Sequence, residues 1–105
     1  MTSIKTLLVL NDPACGTKRP WNGLRLVGFL ANRDDIEVRV FLIGDAVGCA
    51  VAGQKVPDGY HHLDRMIESA ALHGAEVGCC STCMDARGID DNHLTKGAHR
   101  STSMS

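Results

Sequence analysis

Residues 59–88 read GYHHLDRMIESAALHGAEVGCCSTCMDARG, and the apolar period changes twice along them. Leu63, Met66, Ile67, Ala70 and Ala71 recur at i, i+3, i+4, i+7 and i+8, the spacing of one helix face. Asp58 is the expected N-cap of that helix, and Gly74 its stop just past the C-terminus. AEVGCC then drops the helical period and reads as a short strand, and STCMDARG restarts a helix. Helix, strand and helix in close succession predict βαβ units.

Working outward, IKTLLVL (Ile4 to Leu10) is aliphatic, stops at the turn signal NDP, and reads as a buried strand. WNGLRLVGFLANR follows as a helix, with Leu24, Val27 and Leu30 at helical spacing and Trp21 one turn before them. DIEVRVFLIGD is a second strand closed by Gly44, and AVGCAVAGQ a short, weakly patterned helix. HRSTSMS at the end is polar and reads as a loop or disordered end. Strands alternating with helices predict a parallel sheet with helices on both faces.

The 105 residues make one domain, 1–105, and 44% hydrophobic residues are ordinary for a globular chain. Eleven Lys and Arg against 12 Asp and Glu leave a net charge of -1 without a basic run, so neither nucleic acid nor an anionic membrane is an expected partner. The apolar stretch around LLVL is too short for a signal peptide or a membrane span, which predicts a cytoplasmic protein. Stable disulfides are uncommon there, so five cysteines suggest reactive sulfur or a metal before a structural cross-link.

Open α/β sheets gather ligands at the carboxyl ends of their strands. The first strand exit carries Asn11, Asp12 and Gly16 as candidate binding residues, together with Cys15; the second carries Gly44 and Asp45, with Cys49 beyond; the third carries the cysteine cluster. Asp12 and Asp45 are also ordinary turn residues. GTKR after Cys15 lacks P-loop spacing and no GxGxxG occurs, so no cofactor is expected. Cys80 and Cys83 form a CxxC where strand hands over to helix, a place that favours thiolate, and Arg87 could add positive charge. Zinc needs four ligands. Its possible completions here are Cys79, His93, His99 or a neighbouring subunit, none at standard spacing, and adjacent His61 and His62 diverge by about 100° on a helix. No resident metal is expected, although reactive sulfur and zinc both remain open on residues alone.

NDPACGTKRPWNGLRL, VRVFLIGDAV, the run from GYHHLD to CCSTCMDARGI, and HLTKGAHRSTSMS resemble, in order and spacing over nearly the whole chain, the DsrE/DsrF-like (YchN-like) family, in the branch that typically carries Cys-Gly-Thr-Cys. The resemblance implies a three-layer α/β/α fold around a mostly parallel sheet. It also implies homotrimers or homohexamers and sulfur-donor and acceptor proteins as partners. Sulfur-relay members carry a persulfide on a cysteine eight residues before the glycine of an Arg-Gly motif, which here corresponds to Cys80 before Gly88. Cys83 then matches the second cysteine of the CGTC branch, a resolving thiol for a persulfide or disulfide on Cys80. Whether this amounts to sulfurtransferase or thiol-redox activity stays open, and the alternative is a non-catalytic oligomeric module that binds a small molecule or zinc. Two departures stand out: Cys79 is expected to face the other side of the strand and be buried, and the family's C-terminal helix and strand are absent. The latter implies either a piece of a longer chain or a sheet completed by a partner.

Overall fold

The aliphatic runs at 4–10 and 36–42 pair in parallel at the start of a four-stranded sheet in the computed structural model, which describes residues 4–11, 19–33, 35–54 and 62–101. In chain order the elements are β1 (Ile4–Leu10), α1 (Arg19–Ala31), β2 (Ile36–Leu42), a 3₁₀ segment (Gly44–Ala50), α2 (Leu63–Leu72), β3 (Glu76–Cys80), α3 (Ser81–Ala86), a 3₁₀ turn (Asp91–His93) and β4 (Ala98–Ser101). The sheet runs β1-β2-β3-β4 with every pairing parallel.

Strands laid down in one direction by right-handed crossovers place successive helices on the same face. Accordingly α1 and α2 pack on each other over one side of the sheet. Leu24 and Val27 of α1 and Leu63, Ile67 and Ala70 of α2 meet Val38, Val40, Leu42, Val77 and Cys79 there in one buried cluster. The stripe that marked α2 in the sequence is the one that is buried, and each such aliphatic side chain contributes about 1.5–3 kcal/mol. The helix stops where Gly74 predicts: the Gly74 and Ala75 N–H groups turn back onto the carbonyls of Ala71 and Ala70, at 3.0 and 3.1 Å. Its expected cap, Asp58, lies outside the described residues; His62 occupies the N-cap position.

The α/β class and the parallel sheet are as read, and three details differ. β1 is an edge strand with Leu7 and Val9 exposed, because α1 covers only the side that carries Leu8 and Leu10, and Ile4 is exposed at the strand's start. AVGCAVAGQ forms a 3₁₀ segment from Gly44 to Ala50 rather than an α-helix, and Gln54 Nε2 donates to the carbonyls of Gly48, Cys49 and Val51, at 3.3, 2.8 and 3.1 Å. HRS, expected to be loop or disordered, belongs to β4, paired with β3 from Val77–Ala98 to Cys80–Ser101. Backbone pairing along the open edge of β3 and hydrogen bonds from Arg100 specify that strand, so it needs no apolar alternation.

Candidate active site at the strand ends

Along β3, successive side chains alternate between the two faces of the sheet. Cys79 therefore points into the helix-covered core and is fully buried, and Cys80, one residue on, is half-buried at the strand's end and caps α3. Burial pushes the Cys79 thiol up to about 12, with the neighbouring Cys80 charge adding to the rise. Cys80 moves the other way, down to about 7. The Cys83 thiol donates to its sulfur, with further donation from the Thr82 hydroxyl (Cys80 Sγ to Thr82 Oγ1 3.3 Å) and from the Cys83 and Thr82 backbone N–H groups. With only six residues, α3 contributes chiefly these local donors and not a long macrodipole.

Cys83 in turn accepts a hydrogen bond from the Gly44 N–H at 3.2 Å. Gly44 has φ +55, a conformation that side chains with a Cβ disfavour, and this turn swings its amide from the β2 exit toward α3. A Cβ there would also stand 3.9 Å from the Asn11 carbonyl oxygen, which places the ends of β1 and β2 side by side. Next to Gly44, Asp45 Oδ1 accepts from Arg87 Nη2 at 2.8 Å and Nε at 3.2 Å, and Arg87 Nη1 donates to the Cys83 carbonyl at 3.1 Å. Of the eight residues singled out from sequence, Cys80, Cys83, Gly44, Asp45 and Arg87 thus form one connected group with Asn11 at its edge. Asp12 and Gly16 lie outside the described residues, as does Cys15. Arg87 pairs with Asp45, and the lowering of Cys80 comes from hydrogen bonding by Cys83 and Thr82.

Two contributors carried no sequence signal. Thr82 sits in the x-x of the CxxC, where only the fold shows that its hydroxyl meets Cys80. Arg100 of β4 reaches Ser81 Oγ at 2.7 Å, the Ser81 carbonyl at 3.2 Å and Asp85 Oδ1 at 2.9 Å, and also binds Asp91, so it fastens both ends of α3 to the sheet. His99 lies on the same sheet face as Cys80, opposite Gly78 in the register. A Cβ on Gly78 would crowd Ser101 Cβ at 3.2 Å while meeting His99 Nε2 and the Phe41 ring at an ordinary 3.6 Å, so the glycine eases the approach of β4. His93 is held elsewhere, accepting from the Asp90 N–H at 2.9 Å. Among the described residues no three His, Cys, Asp or Glu side chains are grouped to hold a metal ion. Cys49, on the 3₁₀ segment, is buried in the main core.

This junction, with its Cys80-Ser81-Thr82-Cys83 motif followed by Arg87-Gly88, lies within the span matched by a family model for the DsrE/DsrF-like family, residues 5–103. The chain belongs to the DsrE/DsrF-like family. It is 33% identical over 99 residues to the Escherichia coli K12 protein YchN, which covers 93% of this chain and 84% of that protein. An uncharacterised protein of Methanopyrus kandleri is 30% identical over 95 residues, 90% of this chain and 77% of its own. The crystal structure of the E. coli YchN protein superposes with a TM-score of 0.85 over 97% of this chain and 86% of that one. A protein of unknown function from Methanobacterium thermoautotrophicum, 14% identical, shares the fold at a TM-score of 0.78 over 96% and 84% of the two chains. As a DsrE/DsrF-like protein the chain falls in a family associated with sulfur relay. No helix among the described residues is long and apolar enough to cross a membrane.

Proposed function

We propose that this protein carries sulfane sulfur as a persulfide on Cys80, with Cys83 as the resolving thiol. The observation that carries the reading is the graded cysteine cluster. One half-buried thiol is drawn down to about 7, a second thiol donates to it, and a third is sealed in the core. A sulfur near neutrality is a thiolate for much of the time at cellular pH while keeping nucleophilicity.

In loading, the Cys80 thiolate attacks the outer sulfur of a donor persulfide. A new S–S bond forms on Cys80, the donor's S–S bond breaks, and the donor leaves as a thiolate that takes up the proton. An acceptor thiolate removes the outer sulfur by the same displacement in reverse. In the absence of an acceptor, Cys83 attacks the inner sulfur of the Cys80 persulfide, releasing sulfide and leaving a Cys80–Cys83 disulfide that a dithiol reductant returns to two thiols. Donor and acceptor are thus proteins that present persulfide or thiol groups.

The carrier works as a homo-oligomer, a trimer or hexamer, in the cytoplasm. Exposed Leu26 and Phe29 on α1 and Leu72 at the end of α2 support association, and the reduced thiols suit that compartment. Light scattering should give a molar mass three or six times that of the 11.3 kDa chain; a monomer would contradict the assembly. After loading with polysulfide, Cys83→Ser should retain its sulfur and release little sulfide, whereas Cys80→Ser should acquire none. Equal sulfide release from Cys83→Ser and the unaltered protein would remove Cys83 from the scheme.

A further inference from the structure

A persulfide adds one atom to Cys80, and that atom needs a place to lie and a partner for its charge. We propose that the hollow over Gly78 seats the outer sulfur of the Cys80 persulfide, and that His99 donates a ring N–H to the anion held there. This rests on Cys80 being the sulfur-bearing thiol.

Gly78 precedes Cys80 by two residues, so both belong to the same face of β3. In the register Gly78 pairs with Phe41 of β2 on one side and with His99 of β4 on the other. The point that a Gly78 Cβ would occupy lies 3.6 Å from His99 Nε2, 3.6 Å from the Phe41 ring and 3.2 Å from Ser101 Cβ. An imidazole nitrogen, an aromatic edge and a small side chain thus surround a spot without a side chain of its own. Along a strand the side chains at 78 and 80 are about 6.6 Å apart, two residues at about 3.3 Å each. The outer sulfur of a persulfide stands about 2.05 Å beyond the inner one, or about 3 Å from the Cys80 Cβ. Laid back along β3, it comes to rest in contact with the spot over Gly78, where His99 Nε2 also points.

The two sulfurs would then have separate partners. The inner sulfur, Cys80 Sγ, has Thr82 Oγ1 of α3 at 3.3 Å. The outer sulfur carries the negative charge once its proton has passed to the donor's thiolate, and a hydrogen bond to an ionised acceptor is stronger than a neutral one. Glu76 Oε1 stands 3.8 Å from His99 Nε2, beyond hydrogen-bond length, and the other oxygen of that carboxylate is paired with Arg39 Nε at 3.4 Å. A ring N–H of the half-exposed His99 is therefore left to give. Because the seat engages only the added atom, it favours the loaded protein over the unloaded one.

The experiment equilibrates the protein with glutathione persulfide and glutathione at fixed ratios and reads the fraction of Cys80 carrying sulfur by mass spectrometry. It compares the unaltered protein with His99→Phe, Gly78→Ala and, at the other end of the sheet, His73→Phe. The expected result is an exchange constant about tenfold lower in His99→Phe, the low end for a hydrogen bond to a charged group. Gly78→Ala should lower it as well, and His73→Phe should not. Iodoacetamide alkylation of unloaded Cys80 should be unchanged in His99→Phe. An unchanged constant in His99→Phe or in cooperatively melting Gly78→Ala overturns the proposal, as does an equal fall in His73→Phe. A fall matched by an equal change in alkylation of unloaded Cys80 also overturns it, since His99 would then act on the thiolate. Should Gly78→Ala not fold, because its Cβ crowds Ser101, NMR of the unaltered protein takes its place. The ring nitrogen resonances of His99 should move on loading, and unmoved resonances overturn the proposal. Failure of the unaltered protein to acquire sulfur on Cys80 removes the carrier reading, whereas equal loading of all variants removes only the seat.

Discussion

The two-residue period of β3 sets Cys79 and Cys80 on opposite faces of the sheet, and their chemistry follows from what each face offers. The core withdraws Cys79 from solvent, while the strand end offers Cys80 a hydroxyl, a second thiol and two backbone N–H groups. Because Cys80 in the folded protein lies near 7, below the ~8.5 of an unfolded thiol, its ionisation adds stability that is fully present above about pH 9. That stability is lost as pH falls through 7. Native alkylation at pH 7.5 should therefore label Cys80 and spare Cys79, and Thr82→Val should raise the Cys80 midpoint; equal labelling of the two cysteines would contradict the assignment. The CxxC and its place at a strand end were legible from spacing, as was the burial of Cys79 from alternation. Thr82 was not, since a hydroxyl in an x position has no pattern until its rotamer is known.

At the level of elements, α3 has only six residues, too short to persist on its own propensity. Its order comes from both ends being tied down: Arg100 from β4 to Ser81 and Asp85, and Arg87 to Asp45. Arg100→Met should leave the sheet intact, speed amide exchange through residues 81–86 and lower the melting temperature; unchanged exchange in α3 would show that packing of the buried Met84 suffices. The helices and β1 to β3 were readable because apolar period and turn residues specify them locally. β4 was not, because AHRS lacks a strand pattern and is specified by its pairing with β3 and by Arg100, which pairs with Asp85 and Asp91 and hydrogen-bonds Ser81 19 positions away. The exposure of β1 escaped for a related reason: an aliphatic run looks the same whether one face is covered or two.

Among the described residues, one core cluster packs α1 and α2 against the sheet, and Ile67 sits fully buried within it. Ile67→Ala should cost about 2–5 kcal/mol, measured by urea denaturation, a sizeable share of the roughly 5–15 kcal/mol typical of native proteins. A loss well below that range would mean the core collapses around the missing side chain. The opposite sheet face carries a row of alternating charge, Glu37 and Glu76 flanking Arg39, beside the exposed Leu7 and Val9. Cys80 projects from that same face, away from the side on which α1 and α2 pack.

The most direct measurement is intact and fragment mass spectrometry of the unreduced protein after incubation with polysulfide, set against Cys80→Ser. The expected result is a gain of one sulfur atom, localised to Cys80, removed by dithiothreitol and absent from the variant. Sulfur carried equally by the Cys80→Ser variant, or no gain in either protein, would contradict a persulfide carrier centred on Cys80.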